Sequence, residues 1–92
     1  SVRSLLGAFA NNNPVNFHRL DGRGYELLAD KVIQLNVINP QVGARLAIPL
    51  TRWHSHIESR KKNMKYQLQR IISTNKLSAD VLEIVQKGLA DD

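Results

Sequence analysis

Five apolar side chains, Val42, Leu46, Leu50, Trp53 and Ile57, follow one another at steps of four, four, three and four residues. Such steps make one continuous stripe only on a helix, and the stripe has to be buried against other elements. It holds the chain's one Trp, so it is the expected centre of the core. Asn39-Pro40 stands at its start. Asn accepts a bond from a first-turn amide as N-cap, and Pro fits the first helical position, where no N–H is needed. Pro49 falls inside the stripe. A proline there removes a helical hydrogen bond and presses on the carbonyl four residues earlier, that of Arg45, at a cost of about 3 kcal/mol. A helix kinked at Pro49 and running on to about His54 is therefore expected.

The rest of the chain has the same period. Val2, Leu5, Leu6 and Phe9 are spaced for a first helix, which Asn11-Asn12-Asn13-Pro14 ends. Asn13-Pro14 could also cap a short turn through Val15, Phe17 and His18. Asp21-Gly22-Arg23-Gly24 reads as a loop, with Asp21 as cap and the glycines free to take unusual backbone angles. A helix from about Gly24 to Leu35 follows, with Tyr25, Leu28, Val32 and Leu35 inward and Leu27 and Ile33 widening the stripe. Asn36-Val37-Ile38 is too short for another element. Ser55-His56-Ile57-Glu58 matches a capping box and predicts a new helix with Ile57, Met64, Leu68, Ile71 and Ile72 inward. Lys62, Lys65 and Arg70 fall on its far side, while Arg60 and Lys61 flank the stripe. After the loop Ser73-Thr74-Asn75-Lys76, Ser78 caps a last helix that buries Val81, Leu82, Val85 and Leu89. No segment alternates with period two, so the expected fold is all-α, without strands. Short connections make consecutive helices antiparallel neighbours.

Ninety-two residues, 1–92, allow one domain with one small core and no enclosed active-site cavity. The absence of Cys rules out disulfides and thiolate metal sites and fits a reducing compartment. No apolar run is long enough to span a membrane, and the first residues are unlike a signal peptide. The chain opens without Met, on residues resembling a helix interior, and is expected to be a fragment of a longer protein. The net charge of +5 is local: Arg52, Arg60, Lys61, Lys62, Lys65 and Arg70 stand against Glu58 alone. Such a cluster is a solvated face, a phosphate-backbone footprint, or a dock for an acidic surface. Tyr66 is its one aromatic partner for base stacking.

Catalytic signals are missing. No H-E-x-x-H occurs; His54 and His56, two residues apart, point to opposite sides of a helix, and His18 sits beside Phe17 as a packing or capping residue. There is no phosphate-binding Gly loop and no recognisable Ser-His-Asp grouping. Gln41, Arg45, Ile48 and Arg52 form a second face beside the core stripe, at i, i+4, i+7 and i+11. That face is either an ordinary helix surface or a polar, cationic wall facing a ligand, and periodicity does not separate the two.

A resemblance does. Arg3-Ser4-Leu5-Leu6-Gly7-Ala8-Phe9-Ala10, Phe17-His18, Asp21-Gly22-Arg23-Gly24-Tyr25, Asn39-Pro40-Gln41-Val42-Gly43-Ala44-Arg45-Leu46, Pro49-Leu50-Thr51-Arg52-Trp53 and a closing Val81-Leu82-Glu83-Ile84-Val85-Gln86-Lys87-Gly88-Leu89-Ala90 occur in that order. Together they resemble the extreme C-terminus of the bacterial aminopeptidase N family, zinc-dependent alanyl aminopeptidases of the gluzincin type. The resemblance implies a superhelix of antiparallel helix pairs, similar to HEAT repeats, that closes over a separate catalytic domain. It implies a cytoplasmic parent enzyme that removes N-terminal residues from peptides, with zinc bound elsewhere in the parent. It implies that Arg3, Gln41 and Arg45 line the substrate chamber, Arg3 and Arg45 attracting a peptide carboxylate. The fragment itself would hold no catalytic residue or zinc and would be inactive. Its expected partners are peptide substrates and the parent's catalytic domain, with no nucleic acid and no membrane. Removal of a preceding helix pair would expose Val2, Leu5, Leu6 and Phe9 and favour self-association. The competing class is an independent helical module that binds nucleic acid or an acidic partner through the basic 52–70 helix.

Overall fold

The computed structural model describes residues 22–90. They form four α-helices: α1 (Arg23–Ile38), α2 (Pro40–Ala47), α3 (Glu58–Ile72) and α4 (Ala79–Leu89), with a 3₁₀ segment, Ile48–Ser55, between α2 and α3. No strand occurs among the described residues, and the all-α expectation holds. The segments through Asp21, including the Val2–Phe9 stripe, Arg3, His18 and the Asp21 cap, lie outside the described residues.

α1 begins one residue earlier than expected and runs three residues further, through Asn36-Val37-Ile38. Gly22 occupies its N-cap position at φ +75°, an angle that favours glycine over any residue with a Cβ. Gly24, by contrast, lies in the first turn of α1 and is buried. Tyr25, Leu28, Ala29 and Val32 form the buried face, while Leu27 is exposed rather than widening it. Asn39 then caps α2 as expected, its side-chain oxygen accepting from the Val42 N–H at 3.4 Å.

α2 is not a kinked helix that continues to Trp53. It stops at Ala47, and the chain winds on in 3₁₀ turns broken at Arg52 (φ −90°, ψ 22°). The cause is Pro49. Having no N–H, it cannot bond the Arg45 carbonyl, and that carbonyl accepts instead from the Ile48 N–H, one residue nearer. The tighter winding is reinforced by side chains. The Thr51 hydroxyl donates to the Ile48 carbonyl at 2.6 Å, and the Ser55 hydroxyl donates to that of Arg52 at 3.4 Å. Leu46, Leu50 and Trp53 remain buried, but the stripe ends there: Ile57 is 58% exposed. The capping box does not form either. Ile57, not Ser55, holds the N-cap position of α3, with no side-chain cap.

Two long-range ties close the core. Trp53 Nε1 donates to the Gly88 carbonyl of α4 at 2.9 Å, across a buried contact. A Cβ on Gly88 would come within 2.7 Å of Thr51 Cγ2, so only glycine lets α4 approach the 3₁₀ segment this closely. Asn36, 5% exposed, makes the second tie. Its Oδ1 accepts from the Ser78 N–H at 2.7 Å and its Nδ2 donates to the Lys76 carbonyl at 3.1 Å. The loop between α3 and α4, where Lys76 has φ +57°, is thereby pinned to the end of α1. Ser78 caps α4 as expected, accepting from the Val81 N–H. Met64, Leu68 and Ile71 of α3, with Val81 and Val85 of α4, complete the core. Each large side chain fully removed from water contributes about 1.5–3 kcal/mol.

Arg70 is not on an outer face of α3. Its guanidinium reaches α1, donating to Asp30 Oδ1 at 2.7 Å and to the Glu26 carbonyl at 3.1 Å, and its Nε donates to Gln67 Oε1 at 2.8 Å. Half-exposed as it is, the ion pair is worth at most about 1 kcal/mol, but it fixes how α3 lies on α1.

Replacing Asn36 with Leu would leave the Ser78 amide and the Lys76 carbonyl without partners. We expect a loss of about 2 kcal/mol or more in chemical denaturation, with the Ser78 amide losing hydrogen-exchange protection. A second expectation concerns pH. Tyr25 is fully buried, and burial pushes its phenol above the ordinary 10.0, with the Arg60 guanidinium partly opposing the shift. A raised folded pKa gives stability that is intact below the unfolded value and lost as pH climbs past about 10. Above that pH the protein should therefore lose stability more steeply than a Tyr25→Phe variant does.

Candidate functional site

α2 and α4 pack side by side without filling the space between their outer faces. Gln41, Ala44, Arg45 and Ile48 on one side, and Asp80, Glu83 and Ile84 on the other, line an open groove of about 390 Å³. Which side chains each helix turns to the groove follows from its local cap. The Asn39-Pro40 start sets the phase of α2, which turns Val42, Leu46 and Ala47 toward the core and leaves Gln41 and Arg45 exposed. The Ser78 cap likewise sets the phase of α4, turning Val81 and Val85 inward and Asp80 and Glu83 outward.

Three of the predicted second-face residues, Gln41, Arg45 and Ile48, are thus brought together in one groove. Arg52 does not join them, because the 3₁₀ winding breaks the period on which its placement rested. Arg3 lies outside the described residues. Asp80 and Glu83 are the residues that sequence reasoning missed here. They belong to an element thirty or more positions away, and no local spacing points from them to Arg45. Among the described residues, the side chains of Gln41, Arg45 and Asp80 make no hydrogen bond or ion pair, whereas Glu83 pairs with Lys87 at 3.2 Å.

A second hollow, about 270 Å³, lies between the start of α1 and α3, lined by Gly22, Arg23, Glu26, Asn63, Tyr66 and Gln67. Its charged members, Arg23 and Glu26, pair with each other.

The basic cluster does not present one face. Lys61 and Lys65 lie over the Trp53 ring, 5.8 and 5.4 Å from its centroid, so Lys65 is not on the far side of α3. Lys61 is also 3.6 Å from Glu58. Arg70 is turned to α1, and Arg52 and Lys62 are exposed in separate elements. His54 stacks on Trp53, ring centroids 3.8 Å apart at 25°. Cations held over a tryptophan each add about 0.5–1 kcal/mol at such partly exposed sites. That ring, 4% exposed, is closed to a stacking base. Among the described residues, no group of three His, Cys, Asp or Glu side chains is placed to hold a metal ion. No described helix is long and apolar enough to cross a membrane.

The profile of a family described as "Domain of unknown function (DUF3458_C) ARM repeats" matches residues 1–90. The chain belongs to this ARM-repeat family. The same helical segment occurs in aminopeptidase N enzymes. The chain is 44% identical over 88 residues to aminopeptidase N of Haemophilus influenzae, and 42% over 89 residues to that of Escherichia coli K12. It is 40% identical over 88 residues to that of Caulobacter vibrioides. These matches cover 96%, 97% and 96% of this chain but only 10% of each relative. A crystal structure of Legionella pneumophila aminopeptidase A in complex with aspartic acid matches with a TM-score of 0.90 and 37% identity. That match covers 99% of this chain and 10% of the other. The ARM-repeat chain is therefore a C-terminal helical domain of the aminopeptidase N type, about a tenth of its relatives' length.

Proposed function

We propose that this ARM-repeat chain is a non-catalytic cap of a zinc-dependent aminopeptidase, and that its α2–α4 groove forms part of the wall of the chamber peptides enter. The observation that carries this is the match of almost the whole chain, at 40–44% identity, to aminopeptidase N. A feature of the groove supports it. The side chains of Gln41 and Arg45 make no hydrogen bond or ion pair among the described residues, and together with Ile48 they line one groove. In this reading the metal, its ligands and the general base belong to the parent enzyme outside this chain, and no catalytic step is assigned to residues here. By itself the fragment should not hydrolyse peptides. The parent acts in the cytoplasm on short peptides, and the cap associates with its catalytic domain.

The cap's contribution is geometric and electrostatic. A helical wall admits an extended peptide and excludes a folded protein by size. Arg45, and Arg3 beyond the described residues, supply positive charge for the peptide carboxylate, and Gln41 offers neutral hydrogen bonds. A substrate too short to reach the wall gains nothing from it. In the intact enzyme, Arg45→Ala should therefore raise KM for tri- and tetrapeptides several-fold more than for a small arylamide. Equal effects on both substrate types would count against the wall.

A further inference from the structure

We infer that the α2–α4 groove is a subsite for the last residue of a short peptide and favours a basic one, Gln41 and Arg45 taking the free carboxylate and Asp80 with Glu83 the cationic side chain. The inference rests on the chamber-wall reading and adds a substrate class to it.

The starting observation is which charges are left over. Glu26, Asp30, Glu58 and Glu83 each have a cation within 4 Å, in Arg23, Arg70, Lys61 and Lys87. Asp80 is the one acidic side chain among the described residues without such a partner, and it lines the same groove as the unpaired Arg45. The two do not neutralise each other across the groove, so each is available to a ligand. Glu83 stands beside Asp80 on α4, and its partner Lys87 is exposed, so it remains a second acceptor at the rim.

A ligand that satisfies both ends must carry both charges. The carboxyl-terminal residue of a peptide does so when its side chain is Lys or Arg. Ala44, Ile48 and Ile84 supply apolar surface for the methylene stem between the two charges. The groove's volume falls in the ~300–1,000 Å³ range of small-ligand sites, which suits the end of a peptide rather than its length. A neutral side chain would gain the apolar contact alone. An acidic one would face two carboxylates, which opposes binding as well as failing to aid it. The expected order is basic, then neutral, then acidic. Both charge pairs are open to water, so the preference is modest and sensitive to salt.

The test uses the full-length aminopeptidase that carries this segment and the peptides Ala-Ala-Ala-Lys, Ala-Ala-Ala-norleucine and Ala-Ala-Ala-Glu. The kcat/KM for the Lys peptide should exceed that for the norleucine peptide about threefold at low ionic strength, and the gap should shrink in ~0.5 M salt. Asp80→Asn should bring that ratio toward one, and Asp80→Lys should turn the preference toward the Glu peptide. Because the readout is a ratio on one enzyme preparation, partial misfolding of a variant cancels. A Lys-to-norleucine ratio of one in the unsubstituted enzyme, or one that Asp80→Asn leaves intact, overturns the inference. If Arg45→Ala still raises peptide KM in that case, the chamber wall stands without it. If Arg45→Ala leaves KM for all three peptides unchanged, the wall and the subsite fall together.

Discussion

One missing hydrogen-bond donor organises this domain. Pro49 cannot reach the carbonyl of Arg45, and the backbone answers by tightening: Ile48 takes that carbonyl and the chain winds on as 3₁₀ turns. Had α2 run on as a regular helix, its winding would have differed from Ile48 onward, and Trp53 would point elsewhere. In the tightened form Trp53 Nε1 meets the Gly88 carbonyl, with Thr51 against the face of Gly88 that has no side chain. The proline's cost is offset by what the altered path allows, a buried tryptophan bonded through Nε1 to Gly88, with His54 stacked on its ring and Lys61 and Lys65 over it. α4 is held at the distance from α2 that leaves a groove between their outer faces. The groove is thus a consequence of packing decided on the opposite side of the two helices.

This separates the side chains into those that hold the fold and those that do not. Asn36, Trp53 and Arg70 each join elements far apart in sequence, and each has its polar atoms engaged. Lys61 and Lys65, which by composition suggested a binding surface, are drawn over Trp53. A positive charge held there packs on the tryptophan ring and does not form a stripe that could track a phosphate backbone. Gln41, Arg45 and Asp80 carry no such duty, and their convergence on one groove is what gives the domain a surface to use.

How far the chain could be read in advance follows from the range of each interaction. The Asn39 and Ser78 caps were legible because a cap is decided within three residues. The inward faces of α1, α3 and α4 were legible because burial selects one side of a regular helix, although Leu82, expected inward on α4, is only half-buried and stays off the core. Ser55-His56-Ile57-Glu58 misled for a related reason: it matches a local pattern, but Ser55 is committed to the Arg52 carbonyl by the 3₁₀ turn before it. The extent of the disruption at Pro49 depends on Gly88, thirty-nine positions on, and no window contains both. Arg70 was misjudged likewise, since a charged residue on a helix is assigned to solvent unless its partner is known, and Asn36 was left outside any element because its partners at Lys76 and Ser78 lie far along the chain. For the groove, the side contributed by α2 was visible up to Ile48, where the period fails. The acidic side contributed by α4 was visible only once the two helices were packed together.

The most direct measurement is a crystal structure of the intact enzyme bound to a non-hydrolysable tetrapeptide. The end of the bound peptide should lie within hydrogen-bonding reach of Gln41 or Arg45, with Trp53 still donating to the Gly88 carbonyl beneath. A groove sealed by another part of the polypeptide, with no path from it to the bound peptide, would contradict the proposed role.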